Sequence, residues 1–386
     1  MVVDSSVAKG VVNREVQLDF VRGIAIIAVM VYHFKMFPTS DMVLQAMEVP
    51  LKSFGQEGVN LFFTLSGFLV GGLLFKSLIM NDRIYAVNFI IRRAFKIWPA
   101  YYFLILFHFL VGRHAPDTFL FQNLVHLQNY LGTSIKQTWS LAVEEHFYLF
   151  LPPFLMLTWG RFKDPKKVLI AIAAVILVVL VARSIAVYQG YFQAAFFHTQ
   201  FRIDSLLMGV ALAAIYWFYP ARYEAISSRR SVLVAIVVAT IVWILAFKNT
   251  PEVDLSVGYT IQALGFCALI MLVKEHSGNI KHARVYRFVS WIGVYSYGTY
   301  LWHSLALGPA AIAIGFLERW SFNSQAAWVL VLAMQFTIAI ILGYITTKAI
   351  EWPFLKLRER LVPAIRHGIS KESSALPIIE SASERR

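Results

Sequence analysis

Arg22 and His33 stand eleven residues apart in LDFVRGIAIIAVMVYHF, a stretch otherwise apolar enough to cross a bilayer. Ionisable groups in hydrocarbon are costly, so an intramembrane one marks a functional position by default. At about 100° per residue, eleven steps return to within roughly 20° of the start and rise about 16 Å. On a helix the two side chains therefore share one face, with His33 far deeper along it. The pattern describes a charge at one membrane border and a titratable base further in, since an unperturbed imidazole changes charge near neutrality. The plainer readings are an arginine that snorkels to the surface and a histidine hydrogen-bonded to a neighbouring helix. Asp19, one turn before Arg22, is placed to hold the guanidinium.

Other polar residues are clustered, not scattered. Ser66 and several glycines interrupt the apolar run GVNLFFTLSGFLVGG (58–72). Gly67, Gly71 and Gly72 most simply let helices approach closely. The segment FIIRRAFKIWPAYY (89–102) carries Arg92, Arg93 and Lys96, and its Trp98, Pro99 and Tyr101 read as an interfacial turn. In QTWSLAVEEHFYLFLPP (137–153), Ser140, Glu144 and Tyr148 recur every four residues and share a helix face, which favours Glu144 over Glu145. Trp139 reads as an interface anchor or as the wall of a sugar site. Arg202 and Asp204 open the run FRIDSLLMG (201–209), as acceptor contacts or as a structural pair. Ser296, Tyr300 and His303 form a further stripe in WIGVYSYGTYLWH (291–303), where His303 reads as a packing and hydrogen-bonding residue. The histidines show no metal-binding spacing, so no metal site is expected, and no Gly-x-x-x-x-Gly-Lys phosphate loop is present.

The elements that must position these groups follow from composition. The chain has 386 residues, 58% of them hydrophobic and 15% charged, with a mean hydropathy of +0.63. A soluble domain carries about a quarter charged residues, so this is an integral membrane protein. A single cysteine, Cys267, excludes an intrachain disulfide. The net charge of +13 would point to nucleic acid in a soluble protein; here it fits basic residues gathered in cytoplasmic loops, and no nucleic-acid partner is expected. Apolar segments long enough for a bilayer core fall near 18–37, 58–80, 97–112, 139–159, 168–188, 201–220, 231–247, 255–274, 291–314 and 326–350. The expected architecture is all-α, a polytopic bundle of about ten transmembrane helices. The first apolar segment lacks a small-residue cleavage site and reads as a retained helix. Loops on one side hold fifteen Lys and Arg; the other side holds Lys52, Arg113, Lys136, Lys248 and Arg319. That bias puts both termini in the cytoplasm, with the protein in the plasma membrane.

Residues 1–17 form a cytoplasmic N-terminal segment, 18–354 the transmembrane domain, and 355–386 a basic tail expected to be partly disordered. In the loop 113–138, FLFQNLVHLQNYL is expected to lie in the interface or over the bundle. No internal repeat and no soluble domain after the last helix is evident.

Five features in order, the Arg-x10-His helix, GV-x-x-FF-x-LSGFL, RR-x-x-[RK]-I-x-P-x-Y, TWSLAVEEHFYL and SYGTYLWH, resemble the acyltransferase-3 family of membrane-bound O-acyltransferases, over residues 18 to about 354. Two positions depart from its pattern: Lys96 stands where arginine is usual, losing the planar fork, and Trp352 stands where IERPF is more usual than IEWPF. The resemblance implies an enzyme that moves an acyl group, usually acetyl, from cytoplasmic acyl-CoA to a hydroxyl of a carbohydrate such as an exported polysaccharide. It implies no bound cofactor. Arg22, Arg92, Arg93 and Lys96 would meet the donor phosphates, with His33 as base or transient acyl carrier. Depth arithmetic puts Glu144 about 7–8 Å into its helix from the outer end, level with His33 and able to support it. Asp19, Ser66, Trp139, Ser140, Tyr148, Arg202, Asp204 and His303 would line the substrates. Without a fused extracytoplasmic domain, transfer straight to the final acceptor is expected, with a separate partner protein as the alternative carrier of that step. A glycosylated small molecule is an alternative acceptor. A secondary transporter is a further alternative, but the matching halves common in carriers are not evident.

Overall fold

Hydrocarbon offers backbone N–H and C=O groups no partners, so apolar runs of this kind satisfy them within helices. The computed structural model describes residues 15–112, 116–247 and 250–363, and among them no strand occurs. The first three long helices are α1 (Val16–His33), α2 (Met42–Asn81) and α3 (Ala86–Leu110). Then come α4 (Trp139–Phe162), α5 (Pro165–Tyr188), α6 (Ile203–Phe218), α7 (Arg230–Phe247) and α8 (Tyr259–His276). Helices α9 (Arg284–Val294), α10 (Ser296–Trp302) and α11 (Leu307–Arg319) follow in close succession, then α12 (Ser324–Thr346) and α13 (Trp352–Leu361).

Seven helices are long and apolar enough to cross a membrane, or eight if α6 and the segment after it, bent by 113°, make one span. The expected ten is not confirmed. Helices α3 and α4 fall outside the count, and each carries polar groups that lower its hydropathy: Arg92, Arg93 and Lys96 in one, Glu144, Glu145 and His146 in the other.

Helix α2 begins well before residue 58, where the sequence reading started it. Asp41 caps it, its Oδ1 accepting from the backbone N–H of Val43 at 2.8 Å and Leu44 at 3.1 Å. The charges at Glu48, Lys52 and Glu57 hide this extension from a hydropathy reading. Lys52 is therefore a helix residue, not a loop one. Its Nζ donates to the carbonyls of Tyr32 (3.0 Å) and Phe34 (2.6 Å) at the end of α1. A cation there satisfies orphan carbonyls and complements the helix dipole. Gln335 of α12 closes the same end, bonding the N–H of Lys35 at 2.9 Å and its carbonyl at 2.7 Å.

Close helix approach is set by glycine at two crossings. A Cβ on Gly67 of α2 would lie 1.9 Å from the Leu206 carbonyl oxygen of α6. A Cβ on Gly293 of α9 would lie 1.8 Å from the Asp19 carbonyl oxygen of α1. The segment expected to lie in the interface or over the bundle forms two short helices, Pro116–Leu124 and Gln128–Leu131, that bury Asn123, Gln128 and Asn129. It is tied down by Tyr101, whose hydroxyl donates to the Asn123 carbonyl at 2.8 Å, and by Gln128, which donates to the Thr138 carbonyl at 3.0 Å. Arg113, Lys248, most of the N-terminal segment and the tail beyond residue 363 lie outside the described residues.

Candidate functional site

The two marked residues of α1 reach different cavities. Arg22 lines the first, together with Ser66, Arg93, Lys96, Glu144 and Tyr148. His33 lines the second, together with Lys136, Gln137, Trp139, Arg202 and Tyr259. Val59 of α2 and Tyr300 of α10 line both, so the cavities adjoin at these two side chains.

The first cavity is cationic. Arg22 is held by an ion pair with Asp19, itself only 3% exposed. The Arg93 guanidinium lies 5.5 Å from the ring centres of both Phe89 and Tyr148, within cation–π range. Ser66 Oγ and the Tyr148 hydroxyl are 2.7 Å apart. Glu144 has Ser66 and Tyr148 in hydrogen-bonding reach and Arg93 and Lys96 as charged neighbours. Ser140 and Ser296 complete the wall beneath Tyr300, with Ser140 Oγ 2.6 Å from the Tyr300 hydroxyl. That hydroxyl also donates to the Gln137 carbonyl at 2.8 Å.

Four sequence expectations are corrected here. Arg92 is not on the cavity wall. Its two terminal nitrogens reach Glu359 of α13 at 2.8 and 3.3 Å, and one also reaches the Val362 carbonyl at 2.5 Å. Adjacent helix positions diverge by about 100°, so of the arginine pair only Arg93 faces inward. Glu144 sits among the basic groups and not on the cavity that His33 lines; depth alone could not say which side of Tyr300 it would face. Its neighbour Glu145 turns away and accepts from Trp98 Nε1 at 2.8 Å. Trp139 is 8% exposed and therefore not an interface anchor. Asp204 does not pair with Arg202. It pairs with Arg183 of α5 at 2.8 Å, both side chains fully buried. Arg183 also donates to the carbonyls of Ser256 (3.0 Å) and Phe201 (2.7 Å) and to Thr260 Oγ1 (2.7 Å).

The second cavity is aromatic. Trp139 packs against Phe196 and Phe197, with ring centres 5.2 and 5.4 Å away. The Arg202 guanidinium lies 3.6 Å from the Tyr259 ring centre and 5.3 Å from that of Trp139. Glu57 and Asp254 are its acidic neighbours. His33 Nδ1 bonds the Val29 carbonyl at 2.9 Å. His303 is fully buried, with its ring centre 4.9 Å from that of His33.

Phe196, Phe197, Tyr259, Glu57 and Arg183 were not singled out from the sequence. Arg183 had a signal, a lone cation in the apolar run VILVVLVARSIAVY. The aromatic residues had none, because 31 Phe and 17 Tyr are spread through the chain.

The sequence profile described as an acyltransferase domain matches residues 15–344. The chain is 27% identical over 314 residues to a peptidoglycan O-acetyltransferase of Listeria monocytogenes, covering 74% of this chain and 48% of that protein. It is 25% identical to a putative peptidoglycan O-acetyltransferase of Bacillus subtilis, covering 74% and 47% respectively. It is 24% identical to a putative O-acetyltransferase of Staphylococcus aureus, covering 88% and 57%. The chain thus spans about half the length of the curated relatives it matches. No solved structure matches it.

Proposed function

The chain belongs to the acyltransferase-3 family, and on that premise we propose that it is a membrane-bound O-acyltransferase, moving acetyl from acetyl-CoA to a carbohydrate hydroxyl. The observation that carries this reading is the pair of adjoining cavities, one cationic and one aromatic with His33 in its wall. Arg22, Arg93 and Lys96 suit a phosphate-bearing donor, because guanidinium groups bind phosphate through paired charge-assisted bonds. The thioester then lies toward Val59 and Tyr300. Trp139, Phe196, Phe197 and Tyr259 supply apolar faces for a sugar ring, and Arg202 supplies hydrogen-bond donors.

In this reaction His33 Nε2 takes the proton of the acceptor hydroxyl as its oxygen attacks the thioester carbon. The C–S bond breaks as the C–O bond forms. The sulfur leaves with the electron pair and receives the proton from His33. The relatives named as peptidoglycan O-acetyltransferases make a wall glycan the first acceptor to try. We further propose that α3, α4 and α6 also cross, making ten spans, with both termini in the cytoplasm of a cell whose plasma membrane holds the protein.

The test is purified protein in lipid vesicles with radiolabelled acetyl-CoA and a glycan extract, beside His33→Ala. Release of CoA that depends on the glycan, and its loss in the variant, is the expected result. A His33→Ala protein that accumulates normally and turns over at the wild-type rate would sink the assignment.

A further inference from the structure

The His33 cavity is short of what a general base needs. When His33 takes a proton it becomes a cation in a half-buried setting, and a group beside it can stabilise that charge. The cavity wall offers no carboxylate. The charged and titratable groups that face it from the surrounding elements are mostly unhelpful. Lys136 and Arg202 line the cavity and Lys52 of α2 lies near, all cationic; Tyr32, Tyr259 and Tyr300 are neutral phenols. Glu57 of α2 and Asp254 lie beside Arg202, whose charge they offset; the imidazole packed against His33 itself is that of His303.

The hydrogen bonds of the two rings define their tautomers. A carbonyl oxygen only accepts, so a ring nitrogen bonded to one carries the hydrogen. His33 Nδ1 bonds the Val29 carbonyl at 2.9 Å, and His303 Nδ1 bonds the Tyr300 carbonyl at 2.7 Å. Nε2 is then the lone-pair nitrogen of each ring. On His303 that Nε2 is buried and has no partner. A buried acceptor left unpaired is expensive and calls for an explanation. With ring centres 4.9 Å apart, the nearest candidate for it is His33.

We propose that His303 is a positioning residue for His33: its neutral Nε2 lone pair stabilises the imidazolium that His33 forms during transfer. The Val29 carbonyl holds the Nδ1–H of His33, where a carboxylate sits beside a catalytic histidine elsewhere; His303 acts as a dipole turned toward the developing charge, takes no proton and stays neutral throughout. The proton taken from the acceptor hydroxyl stays on His33 until it passes to the departing thiolate. This rests on the base role given to His33 above, deepens it, and explains why Glu144 need not reach His33.

Two substitutions separate this role from packing. His303→Asn keeps an amide N–H in reach of the Tyr300 carbonyl but places nothing where Nε2 stood. His303→Gln places an amide group there that can accept but not titrate. A preorganised dipole aimed at charge that develops in the transition state is costly to remove, here at about 10- to 100-fold. The expected result is therefore a kcat about 10- to 100-fold lower in His303→Asn, with KM for acetyl-CoA and for glycan held within about twofold. The acidic limb of its kcat–pH profile moves, and His303→Gln recovers most of the lost kcat. Wild-type kcat and profile in His303→Asn would overturn the inference. So would equal losses in both variants with an unmoved profile, which is the signature of packing alone. If His303→Asn fails to accumulate, His303→Met replaces it as the variant without an acceptor; equal kcat in the Met and Gln proteins overturns the inference. His33→Ala is run in parallel. Activity there removes the parent reading, whereas an inactive His33→Ala beside an unaffected His303→Asn removes only this one.

Discussion

Adjacent arginines that look interchangeable in the sequence should behave differently toward the donor. Arg93 lines the cationic cavity and Arg92 does not. Replacing Arg93 by Gln removes a charge-assisted contact to a donor phosphate, worth about 1.5–3 kcal/mol. At about 1.4 kcal/mol per tenfold, KM for acetyl-CoA should rise roughly 10- to 100-fold. Arg93→Lys keeps the charge but loses the fork and its stacking on Phe89 and Tyr148, and should fall between the two. Arg92 instead bonds Glu359, in a pair whose side chains are 21% and 41% exposed. Such surface pairs contribute about 0.2–1 kcal/mol, so Arg92→Gln should raise KM by no more than about fivefold. The assay is CoA release against acetyl-CoA concentration at saturating glycan, with protein amounts matched. Equal KM shifts in Arg92→Gln and Arg93→Gln would refute the reasoning, because the sequence neighbourhood and not the cavity would then decide.

Two further predictions concern the scaffold. Asp204→Asn leaves the fully buried Arg183 charge without its counter-ion, and breaking a buried pair from one side costs about 3–5 kcal/mol; a thermal unfolding midpoint in detergent equal to that of the wild type would contradict this. Gly67→Ala pushes a Cβ to 1.9 Å from the Leu206 carbonyl and should sharply lower the yield of folded protein, whereas Gly160→Ala, with nothing within 4 Å, should leave it unchanged; size-exclusion profiles of the two variants test the pair.

What the sequence could reveal follows from how far each inference had to reach. The relation of Arg22 to His33 runs along one helix, where geometry is fixed, and it leads each to a cavity. That Glu144 and Glu145 part company is also a local fact of helical spacing. Pairing Glu144 with His33 needed the crossing and rotation of α1 against α4, which hydropathy does not encode, and depth alone was no substitute. The same limit applies to Asp204, whose partner Arg183 is 21 residues away on another helix. Lys52 was misplaced for a different reason. Charges in the first turns of α2 erased the apolar signal, although Asp41 was already a legible cap. The motif order carried the family because it sums many weak local signals, and that sum is insensitive to any single misplaced contact.

Helix α1 explains why the spacing of its two polar residues matters at all. In the reaction proposed above, the donor brings phosphates, which require cations, and a thioester, which must reach a base; the two needs are a coenzyme arm apart. A rigid helix is the simplest way to hold cation and base at a set separation, and eleven residues give about 16 Å on one face. Such a ruler works only if it cannot slide. Near its start, Gly293 packs against the carbonyl of Asp19, the residue that fixes Arg22. At its end, Lys52 and Gln335 bind the backbone on either side of His33. Groups that look peripheral to the chemistry therefore act on it: loosening either clamp would change where His33 meets the thioester without touching a residue of the cavity wall that binds the donor.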